Sequence, residues 1–259
     1  MRCAVVGHVE WTEFALVDHV PAPGQIAHAT EHWSGPAGGG SVVAAQMAKL
    51  AGACDFFTAL GDDELGHASL RGLEQLGLTL HVEWFGRTRR AITFVDGNGE
   101  RTITTIGEKL RPRNRPPVDG YDAVFFVAGE PVVLRASRAA RFLAATPREL
   151  PTLLAGAVRL DLLVGSGTDP GERYESGLDV DLVVRTEGAA GGTADGRRYA
   201  AVPAVGPVAD AYGAGDSFGA ALCFALARGD TLDEALALAA RAGAAVVTGV
   251  GPYEAQLRL

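Results

Sequence analysis

The sequence predicts a layered α/β domain, and three observations carry this prediction. Strand-like and helix-like segments alternate along most of the chain. Several strand-like segments are continuous apolar runs, which is typical of a parallel sheet covered on both faces. The chain has 259 residues, of which 47% are hydrophobic and 21% are charged, and this is enough for a sizeable core. We therefore expect a single domain over residues 1–259.

The elements of the main layers follow from apolar runs and from helix signals. Apolar runs predict strands over residues 3–6, 56–60, 123–127, 160–164 and 182–184. Helical spacing predicts helices over residues 42–50, 64–76, 132–145 and 217–228. Gly77 and Gly229 close the second and the fourth of these helices. A last helix is predicted to begin after Thr231, because Thr231 and Glu234 form a Thr-x-x-Glu capping box.

Three further strand-like segments break this alternation. Residues 80–85 alternate apolar and polar side chains, and residues 91–96 and 101–106 flank Gly97-Asn98-Gly99, a strong hairpin signal. Because no helix separates these segments, we expect a small antiparallel sheet, joined by residues 26–33. The proline-containing segment 111–119 is predicted to lead back to the main sheet.

Charge and composition argue against several classes of protein. The 23 basic and 31 acidic residues give a net charge of −8, which disfavours nucleic-acid binding by electrostatics. No uncharged run reaches the ~18 residues of a membrane span, and the N-terminus is typical of a strand rather than a signal peptide. Cys3, Cys54 and Cys223 fit neither a zinc spacing nor a disulfide framework. We expect a cytoplasmic protein without nucleic-acid or membrane partners.

Residues 210–219 form the segment with the clearest chemistry. A loop of small residues opens a long apolar helix, so its free backbone N–H groups and the positive helix end make an anion site. Gly213 and Gly215 lack a Cβ, which lets a phosphate approach the backbone. Asp216 lies next to this site and could accept a proton from an attacking hydroxyl. The same residues also fit an Asp helix cap after a flexible loop.

Three other motifs can be tested on these residues. Gly215-Asp216-Ser217-Phe218-Gly219 matches the Gly-x-Ser-x-Gly of α/β-hydrolases, but that fold needs a His after the Ser. All six histidines precede it, at positions 8, 19, 28, 32, 67 and 81. A dinucleotide fingerprint is disfavoured because Phe218 stands where a third Gly is required. A Walker loop is excluded because neither lysine, Lys49 or Lys109, follows such a glycine.

On these residues the chain resembles the ribokinase-like (PfkB) carbohydrate kinases over nearly its whole length. Residues 210–218 resemble the family signature Asp-Thr-Thr-Gly-Ala-Gly-Asp-Thr-Phe, and residues 60–66 resemble its Val-Gly-Asp-Asp-x-x-Gly segment. Residues 183–191 resemble its Thr-x-Gly-x-x-Gly nucleotide segment, and residues 97–101 resemble the turn between its lid strands. The resemblance implies a three-layer α/β/α sandwich with a central, mostly parallel sheet and a β-sheet lid, formed by segments near residues 10–36 and 80–106.

The resemblance also implies an activity, its cofactors and its residues. The activity is transfer of the γ-phosphate of ATP to a hydroxyl of a small sugar-like or nucleoside acceptor. Asp216 would be the catalytic base, and the anion hole would be formed by Gly213, Ala214 and Gly215. The nucleotide would lie along Thr186, Gly188, Gly191, Ala242, Val246, Gly249 and Gly251. Asp169 and Glu172 would organise Mg²⁺, and Asp210 matches a position linked to a monovalent cation. A helix N-terminus stabilises a charged carboxylate, so we expect Asp216 to be a weak base, which phosphoryl transfer tolerates.

The acceptor end departs from the family pattern. Thr12 stands where an Asp is usual, Glu10 where an Asn is usual, and Val42 where a second Asn is usual. The candidate acceptor contacts are Glu10, Thr12, Gly38, Gly39, Gly40, Val42 and Arg101. We expect ribose and fructose to be poor acceptors, because their buried hydroxyls would lose partners. An acceptor with an apolar or aromatic part beside Trp11 and Val42, such as a nucleoside, is expected to be better.

Two functions stay open at this point. The intact signature around Asp216 favours a kinase, whereas the altered acceptor residues favour a nucleotide-binding member with little kinase activity that acts as a regulator or binding module. Trp33 either fills core or stacks on a ring of the acceptor. A small two-faced sheet cannot bury both faces on one neighbour. We therefore expect a homodimer formed through the lid.

Overall fold

The computed structural model describes residues 1–259 and contains thirteen strands and six α-helices. The strands are β1 (Cys3–Val6), β2 (Glu10–Leu16), β3 (Glu31–Ala37), β4 (Cys54–Leu60), β5 (Leu78–Trp84), β6 (Arg90–Val95), β7 (Arg101–Ile106), β8 (Ala123–Phe126), β9 (Phe142–Ala145), β10 (Leu162–Ser166), β11 (Val183–Thr186), β12 (Gly192–Ala194) and β13 (Arg197–Tyr199). The helices are α1 (Gly39–Ala51), α2 (Glu64–Glu74), α3 (Pro131–Ser137), α4 (Leu150–Gly156), α5 (Ala214–Arg228) and α6 (Leu232–Val246).

Nine strands form the main sheet, in the order β13-β12-β11-β10-β9-β8-β1-β4-β5. All neighbours from β11 to β5 are parallel, and only β12 and β13 are antiparallel additions at one edge. The central strands are buried on both faces, as their continuous apolar runs predict. The prediction of a central, mostly parallel sheet is confirmed.

Helices cover both faces of this sheet. Alternate residues of β1 show the division: Val5 packs in the larger core cluster with residues of α1, α5 and α6, whereas Val6 packs in a second cluster with residues of α3 and α4. Successive side chains of a strand point to opposite faces, so each face needs its own helical layer. The α/β/α sandwich is therefore built from two separate cores.

A second sheet of four strands, in the order β3-β2-β6-β7, stands off the main sheet as the predicted lid. The β6–β7 hairpin turns at residues 97–99, where Gly99 has φ +78°, as the turn signal predicts. The sheet is mixed rather than purely antiparallel, because β2 and β6 run parallel. The joining strand β3 lies at Glu31–Ala37, later than the predicted segment 26–33.

Two predictions of secondary structure are wrong. Segment 80–85, predicted in the lid, belongs to β5, which pairs in parallel with β4 at the edge of the main sheet. Its alternating pattern has a physical cause, since an edge strand is covered more on one face than on the other. The predicted helix 132–145 is instead the short helix α3 followed by β9, which pairs with β8 and β10.

The last helix is formed as its sequence predicts. Thr231 accepts a hydrogen bond from the Glu234 N–H, and the Glu234 side chain accepts one from the Thr231 N–H at 2.9 Å. This reciprocal capping satisfies two backbone donors that a helix start leaves free. The apolar face of α6 then packs on α5, which fixes the helix that carries Asp216.

Candidate functional site

A cleft of about 730 Å³ separates the lid from the carboxyl edge of the main sheet. It contains groups from β2, β7, β10 and from the first turns of α1 and α5, and most of its lining is polar. Ligands of open α/β sheets bind at this edge. The cleft brings together ten of the predicted residues: Glu10, Gly38, Gly39, Arg101, Asp169, Glu172, Thr186, Gly213, Gly215 and Asp216.

The first turn of α5 forms the floor of the cleft. The helix is capped by Gly213, whose φ of +82° is a left-handed conformation that a residue with a Cβ rarely adopts. No side chain caps this helix. The backbone N–H groups of Gly215 and Asp216 in this turn have no acceptor within the protein and are left for an anion, and the positive helix end adds to the attraction.

Asp216 stands in this turn, where two helix N-termini meet. A Cβ added to Gly39, at the start of α1, would lie only 3.0 Å from Asp216 Oδ1. Burial, and secondarily the charge of Glu172, raises the pKa of Asp216 to about 6, while Arg101 and Arg148 act in the opposite direction. The expectation of a stabilised charged form and a weak base is therefore wrong, because desolvation outweighs the helix end. A carboxylate with this pKa is a competent base near neutral pH.

Asp169 and Glu172 form an acidic pair on the opposite wall. Arg148 bridges them, with its Nη2 at 2.5 Å from Asp169 Oδ2 and 3.0 Å from Glu172 Oε1. The Gly171 N–H, which Asp169 accepts at 2.7 Å, and the Arg148 charge lower the pKa of Asp169. Both carboxylates are partly exposed to the cleft. They are oxygen donors of the kind that Mg²⁺ prefers.

At the lid end of the cleft, Glu10 and His8 are buried beside two cations. Glu10 Oε1 lies 3.1 Å from Arg89 Nη1 and 3.6 Å from His8 Nε2. Lys109 is held behind them by the buried Glu149, at 2.8 Å. His8 is neutral, because burial and the charges of Lys109 and Arg89 hold its pKa well below the usual range. This end of the cleft is an ionic site rather than an apolar one.

Thr12 and Val42 do not line the cleft. Both are fully buried, and Val42 packs with Phe14, Tyr212 and Ala37 in a small aromatic cluster. The Tyr212 ring lies edge-on to Phe14 at 5.1 Å, and its hydroxyl accepts the Gly38 N–H at 3.1 Å. These side chains fill the part of the site in which we expect the hydroxyls of an acceptor to lack hydrogen-bond partners.

The expectation of an apolar acceptor surface beside Trp11 and Val42 is therefore wrong. Trp11 points away from Glu10, because neighbouring residues of β2 alternate between the two faces of the lid. Trp33 fills core, since its ring stacks on Phe14 with centroids 5.0 Å apart.

The remaining predicted nucleotide residues lie outside the cleft. Gly188 and Gly191 form a tight turn after β11, with φ values of +57° and +85°. Ala242 and Val246 are fully buried in α6, and Gly251 donates its N–H to Asp210. Gly40 is packed against the backbone of Gly7 and His8, and neither Gly40 nor Ala214 lines the cleft.

Sequence reasoning missed four basic residues that line the cleft: His8, Arg89, Lys109 and Arg148. Arg89 and Lys109 flank the lid hairpin. Arg148 follows β9, over which the sequence pattern predicts a helix. Of the 23 basic residues only two are lysines, and one of these, Lys109, is mostly buried against Glu149. The rarity of lysine is the only signal in the sequence that points to Lys109, which lies between the lid strands and the main sheet.

No helix of the protein is long and apolar enough to cross a membrane. No curated protein matches the sequence. Several solved structures share the fold at low identity. Ribokinase from Giardia lamblia is 18% identical with a TM-score of 0.78, covering 99% of this chain and 96% of its own.

Two further structures extend this comparison. Arabidopsis thaliana ribokinase complexed with ribose and ATP is 22% identical with a TM-score of 0.75, covering 99% of this chain and 96% of its own. The nucleoside kinase of Methanocaldococcus jannaschii is 19% identical with a TM-score of 0.76, covering 99% and 95%. The family model described as pfkB family carbohydrate kinase matches residues 1–146 and 174–257. Since that match spans most of the sequence, the chain belongs to the pfkB family of carbohydrate kinases.

Proposed function

We propose that the protein is an ATP-dependent kinase that phosphorylates a hydroxyl of a small sugar-like or nucleoside acceptor. The observation that carries this proposal is the Asp216 carboxylate, whose pKa is raised to about 6, in the uncapped first turn of α5. A base and an anion site thus share one helix turn. Phosphoryl transfer needs little more than these two groups in the correct positions.

The reaction balances as a displacement at phosphorus. The acceptor oxygen forms a bond to the γ-phosphorus, the bond from that phosphorus to the bridging oxygen breaks, and ADP leaves with the electron pair. Asp216 takes the hydroxyl proton. The N–H groups of Gly213 and Gly215, which have no acceptor within the protein, stabilise the charge on the transferring group. Arg101, whose charge acts on Asp216, faces the same space from the lid.

Asp169 and Glu172 fit a magnesium ion by the chemistry of their donor set. Both offer carboxylate oxygens on the phosphate side of the cleft, and the protein holds no cluster of three or more such ligands. Mg²⁺ keeps several waters and takes one or two carboxylates in nucleotide sites. The ion would neutralise charge on the phosphates, and these two residues would hold it.

A monovalent cation at Asp210 is also part of the proposal. Asp210 is fully buried and accepts one N–H on each oxygen, from Tyr212 at 2.8 Å and from Gly251 at 3.1 Å. Burial nevertheless raises its pKa, so a cation beside it would stabilise the charged form. Activity compared in potassium and tetramethylammonium salts tests this point.

The second candidate function is a nucleotide-binding regulator with little kinase activity. It is favoured by the filled corner at Val42 and Tyr212, which removes an expected place for acceptor hydroxyls. The experiment that separates the two functions is a panel of sugars, sugar acids, sugar phosphates and nucleosides incubated with ATP and Mg²⁺. Release of ADP that depends on one acceptor supports the kinase. ATP binding by calorimetry without such release supports the regulator.

A further inference from the structure

We propose that the acceptor of this kinase carries an anionic oxygen group, a phosphate or a carboxylate, which binds at the lid end of the cleft between Arg89 and Lys109. This inference rests on the proposed function and names its substrate class. It replaces the neutral or apolar acceptor that the sequence favours.

The first support is the balance of charge within the cleft. The lid end contains three cations against two carboxylates: Arg89, Lys109 and Arg111 against Glu10 and Glu149. The phosphate side has the opposite balance, with Arg101 and Arg148 against Asp169, Glu172 and Asp216. A bound Mg²⁺ would offset the excess of negative charge on the phosphate side, whereas nothing in the expected nucleotide complex offsets the excess of positive charge at the lid end. In a chain of net charge −8, a local positive excess selects an anion.

The second support is that two buried polar atoms lack partners at this end. Nε of Arg89 and Nδ1 of His8 have no hydrogen-bond partner, although the His8 side chain is only 9% exposed. Buried polar groups are nearly always paired, so these two atoms leave hydrogen-bonding capacity for a ligand or an ordered water. Arg89 is already oriented by Glu10 and by Thr105, whose Oγ1 accepts from Nη2 at 2.7 Å. A preorganised guanidinium of this kind suits a carboxylate or a phosphate.

The third support is the arrangement of Lys109. Its partner Glu149 is 3% exposed and is held by two cations, Lys109 at 2.8 Å and Arg111 at 3.0 Å. One carboxylate cannot neutralise both, and Lys109 is the one that lines the cleft. The neutral His8 is compatible with an anion site, because a neutral imidazole ring donates or accepts a hydrogen bond without adding charge.

The test compares each neutral acceptor with a related compound that carries an anionic group. The pairs are fructose and fructose 6-phosphate, ribose and ribose 5-phosphate, and glucose and gluconate, each measured by ADP release and by calorimetry without ATP. We expect one anionic member to exceed its neutral partner by at least about 10-fold in kcat/KM, since hydrogen bonds to charged groups are stronger than those to neutral groups. Preference for the phosphate pairs or for gluconate identifies which anion is bound.

Lys109→Met is the variant that tests the site, because Arg111 still holds Glu149 and the fold should be kept. It should raise the KM and the dissociation constant of the anionic acceptor about 10-fold or more, and reduce the preference in kcat/KM for the anionic over the neutral partner by a similar factor. Arg90→Gln is the matched control, since Arg90 is exposed, pairs with Glu13 and does not line the cleft.

Each outcome bears on one proposal. Equal turnover of charged and neutral partners would overturn the anionic acceptor and keep the kinase. An anionic preference that Lys109→Met leaves intact would overturn this site. If no acceptor is phosphorylated, the kinase fails, yet charge-dependent binding that is lost in Lys109→Met still supports the anion site.

Discussion

Asp216 combines two properties that rarely occur together, a position at a helix N-terminus and a raised pKa. The helix end attracts negative charge, but burial removes more hydration than the helix end replaces, and Glu172 adds repulsion. Sequence alone could place this carboxylate beside the anion site. It could not predict the pKa, because Gly39, which packs against the carboxylate, is far away in the chain.

The raised pKa predicts the pH dependence of activity. Asp216 must be ionised to accept a proton, so kcat/KM should rise with pH, with an inflection near the pKa of about 6 in the free enzyme. Above that pH the rate should reach a plateau until another group titrates. A rate profile between pH 4.5 and 8.5 checks this. An inflection near 4, the ordinary range of an Asp, would contradict the desolvated environment.

The same pKa makes Asp216 a source of instability. The folded-state pKa of about 6 exceeds the ordinary value of 3.8, so ionisation of Asp216 opposes folding. The resulting loss of stability grows as pH rises from 3.8 to 6 and reaches its full size above pH 6. Asp216→Asn should therefore stabilise the protein at pH 8, by at most about 3 kcal/mol, and much less at pH 4. Thermal melts at both pH values measure the difference. Equal effects would show that charge is not the cause.

At the scale of elements, α1 and α5 fix the position of the Asp216 carboxylate by their close approach. Gly39→Ala would place a Cβ 3.0 Å from Asp216 Oδ1 and 3.3 Å from Val127 Cγ1. The carboxylate must shift, and we expect kcat to fall about 10-fold or more, as small displacements of a catalytic group cost that much. Gly35→Ala in β3 is the matched control, because its Cβ would meet nothing within 4 Å. Steady-state rates of the two variants check this, and equal rates would contradict it.

Elements were predictable where the local pattern had one interpretation. The capping box at Thr231 and the turn at Gly99 depend on neighbouring residues, and both are formed as predicted. The prediction of one helix over residues 132–145 is wrong because the short helix α3 and the buried strand β9 are both apolar. Only the pairing of β9 with β8 and β10 distinguishes the strand from a helix. The prediction that residues 80–85 belong to the lid is wrong for a related reason. Alternating apolar and polar side chains do not show which sheet an edge strand joins.

At the scale of the whole molecule, β7 is an edge strand of the lid that pairs with β6 on one side only. Every residue of β7 is exposed, and Ile103 and Ile106 are 42% and 46% exposed. An exposed edge strand with apolar side chains is a ready surface for another chain. We expect a homodimer through the lid, measured as twice the 26.9 kDa chain mass by sedimentation at micromolar concentration. A monomer over that range would contradict the prediction.

The central claim is that Asp216 takes the proton of an acceptor hydroxyl while the first turn of α5 holds the transferring phosphoryl group. The most direct measurement compares turnover of the wild type and Asp216→Asn with one acceptor, with ATP affinity measured in parallel. The substitution keeps the size of the side chain and removes the proton acceptor. We predict a fall in kcat on the order of 10²-fold or more with nearly unchanged ATP binding. Turnover of Asp216→Asn close to that of the wild type would contradict the account.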